Sequence, residues 1–178
     1  MSVAVAMAAC LTAVGSVSAQ QSGPEDERFS GVYLGAGGGW GDFSSGGNGG
    51  YGEFFLGARA QNDNGLVYGI EAVGGLVEAT DTVGEDVVLF DFDGYASVLA
   101  KVGYTSNNKL LVYGGAGYTS VDVIDQTGDS DTSGGIMGEA GIEYMASSWF
   151  GLRLRAQYHA VSDDSDITSV GAALLFSF

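Results

Sequence analysis

The sequence predicts an all-β protein, an eight-stranded antiparallel up-and-down transmembrane β-barrel, and three observations carry that expectation. The chain closes on a segment, Ile167 to Phe178, in which Val170, Ala172, Leu174, Phe176 and Phe178 alternate with Ser169, Gly171, Ala173, Leu175 and Ser177. That period of two belongs to a strand with two unlike faces. Seven further segments repeat it, and the connections between them alternate short and long, as when tight turns lie on one side of a wall and loops on the other.

The first strand is expected from Phe29 to Trp40, with Val32, Leu34, Ala36 and Trp40 opposite Gly31, Tyr33, Gly35 and Gly37. The second, Tyr51 to Ala60, sets Phe54, Leu56, Ala58 and Ala60 against Glu53, Gly57 and Arg59. In the third, Leu66 to Gly74, Leu66, Tyr68, Ile70 and Ala72 oppose Val67, Gly69 and Glu71. The fourth, Tyr95 to Tyr104, places Ala96, Val98, Ala100, Val102 and Tyr104 against Ser97, Lys101 and Gly103. Leu110 to Val121 is the fifth, where Gly114, Gly115 and Gly117 blur the two faces. The sixth, Ile136 to Met145, opposes Ile136, Ala140, Ile142 and Tyr144 to Glu139, Gly141 and Glu143. The seventh, Phe150 to Val161, has Leu152, Leu154, Ala156 and Tyr158 on one side and Arg153, Arg155, Gln157 and His159 on the other. Each is close to the roughly 9 to 11 residues that cross a bilayer as a tilted strand. Gln61 to Gly65, Thr105 to Lys109 and Ala146 to Trp149 read as tight turns. Gly41 to Gly50, Gly75 to Gly94, Asp122 to Gly135 and Ser162 to Asp166 read as the four outer loops.

With 178 residues, 46% of them hydrophobic, the chain is one domain's worth of material. A transmembrane helix needs about 20 consecutive apolar residues. Beyond the N-terminus, Gly, Ser or a charge breaks every apolar run within a few positions, so any membrane span must be β. Met1 to Ala19 carries no charged side chain, is apolar from Val3 to Val14 and closes on Val17-Ser18-Ala19. These are the features of a cleavable secretory signal peptide, although no Lys or Arg follows Met1. A rival lipoprotein-type cleavage before Cys10 leaves too short an apolar core. The expected organisation is a signal peptide over residues 1–19, an N-terminal periplasmic tail over 20–28 and the barrel over 29–178. Cleavage after Ala19 removes the only cysteine, so stability must come from a closed sheet, which leaves no unpaired edge, rather than from disulfides.

The Gly-rich run Gly31-Val-Tyr-Leu-Gly35-Ala-Gly37, the segments Tyr68-Gly-Ile-Glu71, Val102-Gly-Tyr104, Leu111-Val-Tyr113-Gly-Gly and Gly141-Ile-Glu-Tyr144, and the terminal Phe178 resemble the bacterial outer-membrane β-barrel (porin-like) family, akin to its OmpA and OmpX type. The resemblance covers nearly the whole mature chain and rests on these loose motifs in order along eight strand-like segments and on the end of the chain. It implies residence in the bacterial outer membrane, delivery by periplasmic chaperones and insertion by the barrel-assembly machinery. Leu174, Phe176 and Phe178 would form the C-terminal assembly signal. Lipocalins share the strand number and length, and Gly38-Gly39-Trp40 resembles their opening tripeptide. A lipocalin, however, turns its apolar face inward.

Charge parity separates the two architectures further. Arg59, Lys101, Arg153 and Arg155 fall on the face opposite the apolar one, together with Glu53, Glu71, Glu139 and Glu143. A Lys or Arg facing lipid at the midplane costs roughly 2 to 4 kcal/mol. These eight are therefore expected inside a lumen just wide enough to be filled by side chains, as an ion-pair network with Glu143 facing Arg153 and Glu139 diagonal to Arg155. Solvated charges on the outside of a soluble barrel would show the same parity.

The formal net charge is −16, and 14 of the 22 acids fall in the four outer loops, with no Lys or Arg among them. Such a surface excludes nucleic acid as a partner and suits cations, including divalent ions that bridge to lipopolysaccharide phosphates. Acidic loops also serve simply to keep a surface soluble. No cofactor is expected. Asp129-Ser-Asp131-Thr-Ser133-Gly134 begins like a calcium loop, but Ala140 stands where the bidentate Glu belongs. Gly38 to Gly50 lacks the Lys of a phosphate loop and reads as a flexible outer loop. His159 is the only histidine, and in His159-Ala-Val-Ser162 the serine is misspaced for the His-x-Ser of barrel lipid A hydrolases. Tyr68, Tyr104, Tyr118, Tyr144, Tyr158 and Trp149 suit the aromatic girdles at the membrane surfaces.

The expected function is that of a small non-enzymatic outer-membrane barrel contributing to envelope integrity and to surface interaction through acidic loops, in contact with outer-membrane lipid and lipopolysaccharide. A narrow pore for ions or small solutes and a lipid A-modifying hydrolase are the alternatives. If the terminal strand is the assembly signal, deleting Phe178 should reduce the heat-modifiable barrel recovered in outer-membrane fractions; normal assembly of the truncated chain would refute that role.

Overall fold

The computed structural model describes residues 28–43, 47–81, 89–124, 130–161 and 166–178. The expected signal peptide, and the tail up to Glu27, lie outside the described residues. Eight strands form the wall: β1 (Gly31–Phe43), β2 (Gly47–Gln61), β3 (Leu66–Asp81), β4 (Leu89–Thr105), β5 (Leu110–Ile124), β6 (Ser130–Met145), β7 (Phe150–Val161) and β8 (Ile167–Ser177). Each pairs antiparallel with its sequence neighbours, and β1 pairs β8 from Tyr33↔Ser177 to Phe43↔Ile167, so the sheet closes on itself. Closure satisfies the backbone N–H and C=O groups within the wall, which lipid cannot do.

The short turns are built from their own side chains. The Asn62 carboxamide oxygen accepts from the N–H groups of Asn64 (3.1 Å) and Leu66 (2.9 Å), with Gly65 at φ +80°. Asn107 does the same for Lys109 (3.1 Å) and Leu110 (2.9 Å), and Asn108 takes φ +55°, a conformation that Asn tolerates better than most residues. Between β6 and β7 the Ser147 hydroxyl accepts from the N–H of Phe150 at 3.1 Å.

The two faces of the wall are opposite in character. Leu34, Trp40, Phe54, Ile70, Leu76, Val98, Val112, Ile136, Leu154 and Val170 all point outward, Phe54 and Ile136 about 70% exposed. An apolar exterior of this extent excludes the lipocalin arrangement and matches a wall solvated by lipid. Tyr68, Tyr104, Tyr144 and Trp149 stand on the exterior near the short turns, and Trp40, Tyr118 and Tyr158 stand nearer the other end. In β5 the faces that its glycines blur in sequence are distinct in space: Leu111, Tyr113 and Thr119 are buried in the lumen, and Leu110, Val112 and Tyr118 are exposed.

Several boundaries differ from the sequence expectation. Gly75–Asp81 and Leu89–Gly94 belong to β3 and β4, and Asp122–Ile124 and Ser130–Gly135 to β5 and β6. The connections therefore shrink from 75–94 to 82–88 and from 122–135 to 125–129. Glycine and acidic residues interrupt the apolar runs there and disguise the strands, although Leu76 still points outward and Phe90 and Phe92 alternate in sequence with Asp91 and Asp93. The Gly-rich Gly38–Gly50 is mostly ladder as well, with Trp40 paired to Gly50 and Val170. Ser130–Gly134 of the apparent calcium loop lies in β6. Among the described residues, no group of three or more His, Cys, Asp or Glu is placed to hold a metal ion. At the start of β1, Phe29 lies in a turn before the strand rather than within it. Gly31 there takes φ +108° against the Phe178 carbonyl, a conformation side chains rarely adopt.

Gly57 illustrates how the lumen is filled, since a Cβ at that position would strike the ring of Tyr33 on the neighbouring strand. Replacing it with Val should lower stability by about 1 to 3 kcal/mol through overpacking. Reversible urea unfolding in lipid vesicles measures the difference, and an unchanged midpoint would contradict the packing described.

Candidate functional site

Inward parity on β2, β3, β4, β6 and β7 delivers Glu53, Arg59, Glu71, Lys101, Glu139, Glu143, Arg153 and Arg155 to the interior, four acids and four bases in one lumen. All but Lys101 are at most 9% exposed, and its side chain is 8% exposed. Buried charges of this number require mutual compensation, because each unpaired one costs several kcal/mol.

Each of the eight has an opposite charge within reach. Glu143 faces Arg153 in the β6–β7 register, and Arg153 Nη2 donates to Glu143 Oε1 at 2.7 Å. The other Glu143 oxygen takes Arg59 Nη1. Arg153 Nη1 donates across the lumen to Glu71 Oε2 at 2.8 Å, an oxygen that also accepts from the Tyr33 hydroxyl at 2.7 Å and Lys101 Nζ at 3.2 Å. Lys101 Nζ lies 2.9 Å from Glu139 Oε1. Arg155, diagonal to Glu139 across the same hairpin, donates to Glu139 Oε2 at 2.9 Å, pairs with Glu53, and lies 3.6 Å from Glu71. The result is one connected lattice running from Arg59 to Glu53.

Aromatic rings on the same inward parity complete it, a feature that the alternation of charges alone does not bring out. The Arg153 guanidinium carbon sits 4.1 Å from the Phe55 ring centroid and 5.5 Å from those of Tyr33 and Tyr113. Lys101 Nζ lies 3.9 Å over Tyr113, and Arg59 lies 4.6 Å over Tyr33. Cations held over ring faces in a dry interior gain about 2 kcal/mol in favourable cases. The sequence signal for these rings is their place among the glycines and charges rather than on the apolar face.

Beyond the charges, toward the outer end, the described lumen residues include neutral polar groups. Gln157 Nε2 donates to Glu139 at 3.2 Å, and Ser169 donates to Gln157 at 3.1 Å. His159 is buried there, with Nδ1 3.3 Å from the Thr119 hydroxyl and its ring edge-on to Tyr95 at 5.3 Å. Beside Tyr33, Arg59, Lys101 and Glu143 opens a void of about 20 Å³, room for about one water.

The three residues of the expected C-terminal signal follow the outward parity of β8. Leu174 is exposed, Phe176 stacks with Trp149 (6.1 Å between centroids) and packs on Phe150 (5.5 Å), and Phe178 is 74% exposed. The Phe178 N–H donates to Val32 O at 2.8 Å, so the end of the chain is fastened to β1 at the closing seam.

An apolar exterior, a closed antiparallel wall and an ion-paired interior define a small membrane-spanning barrel of the outer-membrane class. The family model for the outer membrane protein beta-barrel domain matches residues 7–178, and the chain belongs to that family. Its place is therefore the bacterial outer membrane. Solved structures with the same fold include the Neisserial surface protein NspA, with TM-score 0.57 at 16% identity, covering 84% of this chain and 98% of that one. The N-terminal barrel domain of Pseudomonas aeruginosa OprF gives 0.58 at 13% identity, covering 84% and 98%. Ail, the attachment invasion locus protein of Yersinia pestis, gives 0.53 at 16%, covering 83% and 96%. No curated protein matches the sequence.

Glu143 is the carboxylate that holds Arg59, whereas Arg155 has Glu139 and Glu71 as well as Glu53. Glu143→Gln should therefore cost roughly 3 to 5 kcal/mol in urea unfolding from lipid vesicles, and Glu53→Gln distinctly less. Equal losses would show that the charges act independently rather than as the lattice described.

Proposed function

We propose that the protein is a non-enzymatic barrel whose role in the envelope is structural and whose contacts outside the cell run through its acidic outer rim. The observation that supports this best is that each of the eight lumen charges has an opposite charge within reach, among aromatic rings that occupy the bore beside them. A conduit needs mobile water along its length, and a hydrolase needs a base facing acyl chains. The sole histidine is instead turned into the lumen against Thr119 and Tyr95.

On this reading, cleavage after Ala19 leaves a short periplasmic tail ahead of the barrel. Periplasmic chaperones then carry the chain to the barrel-assembly machinery, which reads Leu174, Phe176 and Phe178. The rim acids come from the outer ends of the strands and their connections. Glu85, Asp86, Asp125, Asp129, Asp163 and Asp164 lie outside the described residues. Their sign favours divalent cations shared with lipopolysaccharide phosphates and disfavours polyanions. Ail has been crystallised with the heparin analogue sucrose octasulfate. The acidic rim here suits the opposite ligand charge.

Barrels in lipopolysaccharide-containing vesicles should gain thermal stability with calcium and lose that gain with chelator. Neutralising Glu85, Asp86, Asp125, Asp129, Asp163 and Asp164 together should abolish the calcium effect without altering gel mobility before boiling. A calcium response that survives neutralisation would remove the rim from the explanation, and discrete conductance steps in planar bilayers would favour the pore.

A further inference from the structure

Phe29 has no place in the wall, yet it is the large side chain most completely removed from solvent along with Met145, both at 0% exposure. Every other buried apolar side chain among the described residues issues from a strand. Phe29 precedes β1, in a turn, and reaches the lumen because the backbone swings at Gly31, whose φ of +108° and closeness to the Phe178 carbonyl leave no room for a Cβ. Its ring lies 4.9 Å from the Arg59 guanidinium, at the end of the charge lattice nearest the short turns. Val67, Leu111, Met145 and Leu175 are buried in the same apolar cluster.

The segment is also latched at the short-turn end of the barrel. The Phe29 N–H donates to Gln61 Oε1 at 3.2 Å, and the Gln61 N–H donates to the Ser30 hydroxyl at 3.0 Å. Gln61 Nε2 in turn donates to Asn108 Oδ1 at 2.7 Å, in the turn between β4 and β5. One glutamine thus ties the segment to the end of β2 and to the β4–β5 turn of the same rim. In outer-membrane barrels the short turns face the periplasm.

We infer that Arg28–Ser30 is a strap that stoppers the periplasmic mouth, with Phe29 as the plug and Gln61 as its latch, keeping periplasmic water from the Arg59–Glu143 pair. This seal is separate from the ion-pair lattice and independent of what the outer rim binds. It makes the lumen a compartment closed from the periplasmic side by chain that contributes nothing to the wall. It also places the control of that closure in the residues leading into β1.

A cysteine at Val67, buried beside Arg59 and Leu111, reports on the seal. In full-length protein carrying Cys10→Ser and Val67→Cys, folded into lipid vesicles, modification by N-ethylmaleimide is followed by mass spectrometry. Phe29→Ala should speed modification roughly tenfold, because reactivity follows thiol exposure, and Gln61→Ala should speed it by a smaller factor. Heat-dependent gel mobility establishes that each variant is folded. Equal modification rates with Phe29 present and absent, in folded barrels, would overturn the strap. Should Phe29→Ala fail to fold, Gln61→Ala, which removes no core atoms, decides: faster labelling supports the latch, and an unchanged rate refutes it.

Discussion

Charge compensation inside a narrow lumen is the constraint on which the rest of this structure depends. An eight-stranded wall leaves an interior about as wide as the side chains that fill it, and the lipid outside accepts none of the charges the chain carries at membrane depth. Four carboxylates and four cations must therefore share one narrow space. Glu71 shows how closely their positions are coupled, receiving Arg153, Lys101 and the Tyr33 hydroxyl at one oxygen. The registers that bring these groups together are the registers that close the barrel, so wall and filling specify one another. A slip of one strand by one residue would turn the lumen charges it carries toward lipid.

Glycine makes that filling possible. Tyr33 lies across Gly57, and comparable gaps elsewhere on the inner face receive the rings of Tyr51, Tyr95 and Tyr113. The aromatic rings then serve as faces for the guanidinium and ammonium groups that lack room for further carboxylates. Large side chains and absent ones alternate around the bore, the same jigsaw logic as in a soluble core, applied to a polar interior.

Much of this was legible in the sequence because a membrane wall obeys a strict period of two. Parity alone places Arg153 and Glu143 on one face, and short hairpins bring them opposite one another. What parity could not reach was of two kinds. The outer ends of β3 to β6 mix glycine and acidic residues into short apolar runs, so Gly75–Asp81 or Ser130–Gly135 look like loop. Phe29 escaped for a different reason: alternation puts it on the inward side with Gly31 and Tyr33, but that it leaves the wall depends on the backbone at Gly31, which no alternation of residue types announces. The partners of Lys101 and Arg155 across the bore depend on curvature, which a linear pattern does not contain.

The unequal height of the outer wall carries a consequence of its own. The β3–β4 ladder continues to Asp81↔Leu89 and the β5–β6 ladder to Ile124↔Ser130, while β7–β8 ends at His159↔Ile167, only two residue pairs beyond Gln157↔Ser169. Two raised hairpins stand on one side of the mouth and a low step on the other. The molecule therefore has a front and a back within the membrane plane. Neighbours diffusing laterally meet a ladder that rises higher on the β3–β6 side than on the β7–β8 side.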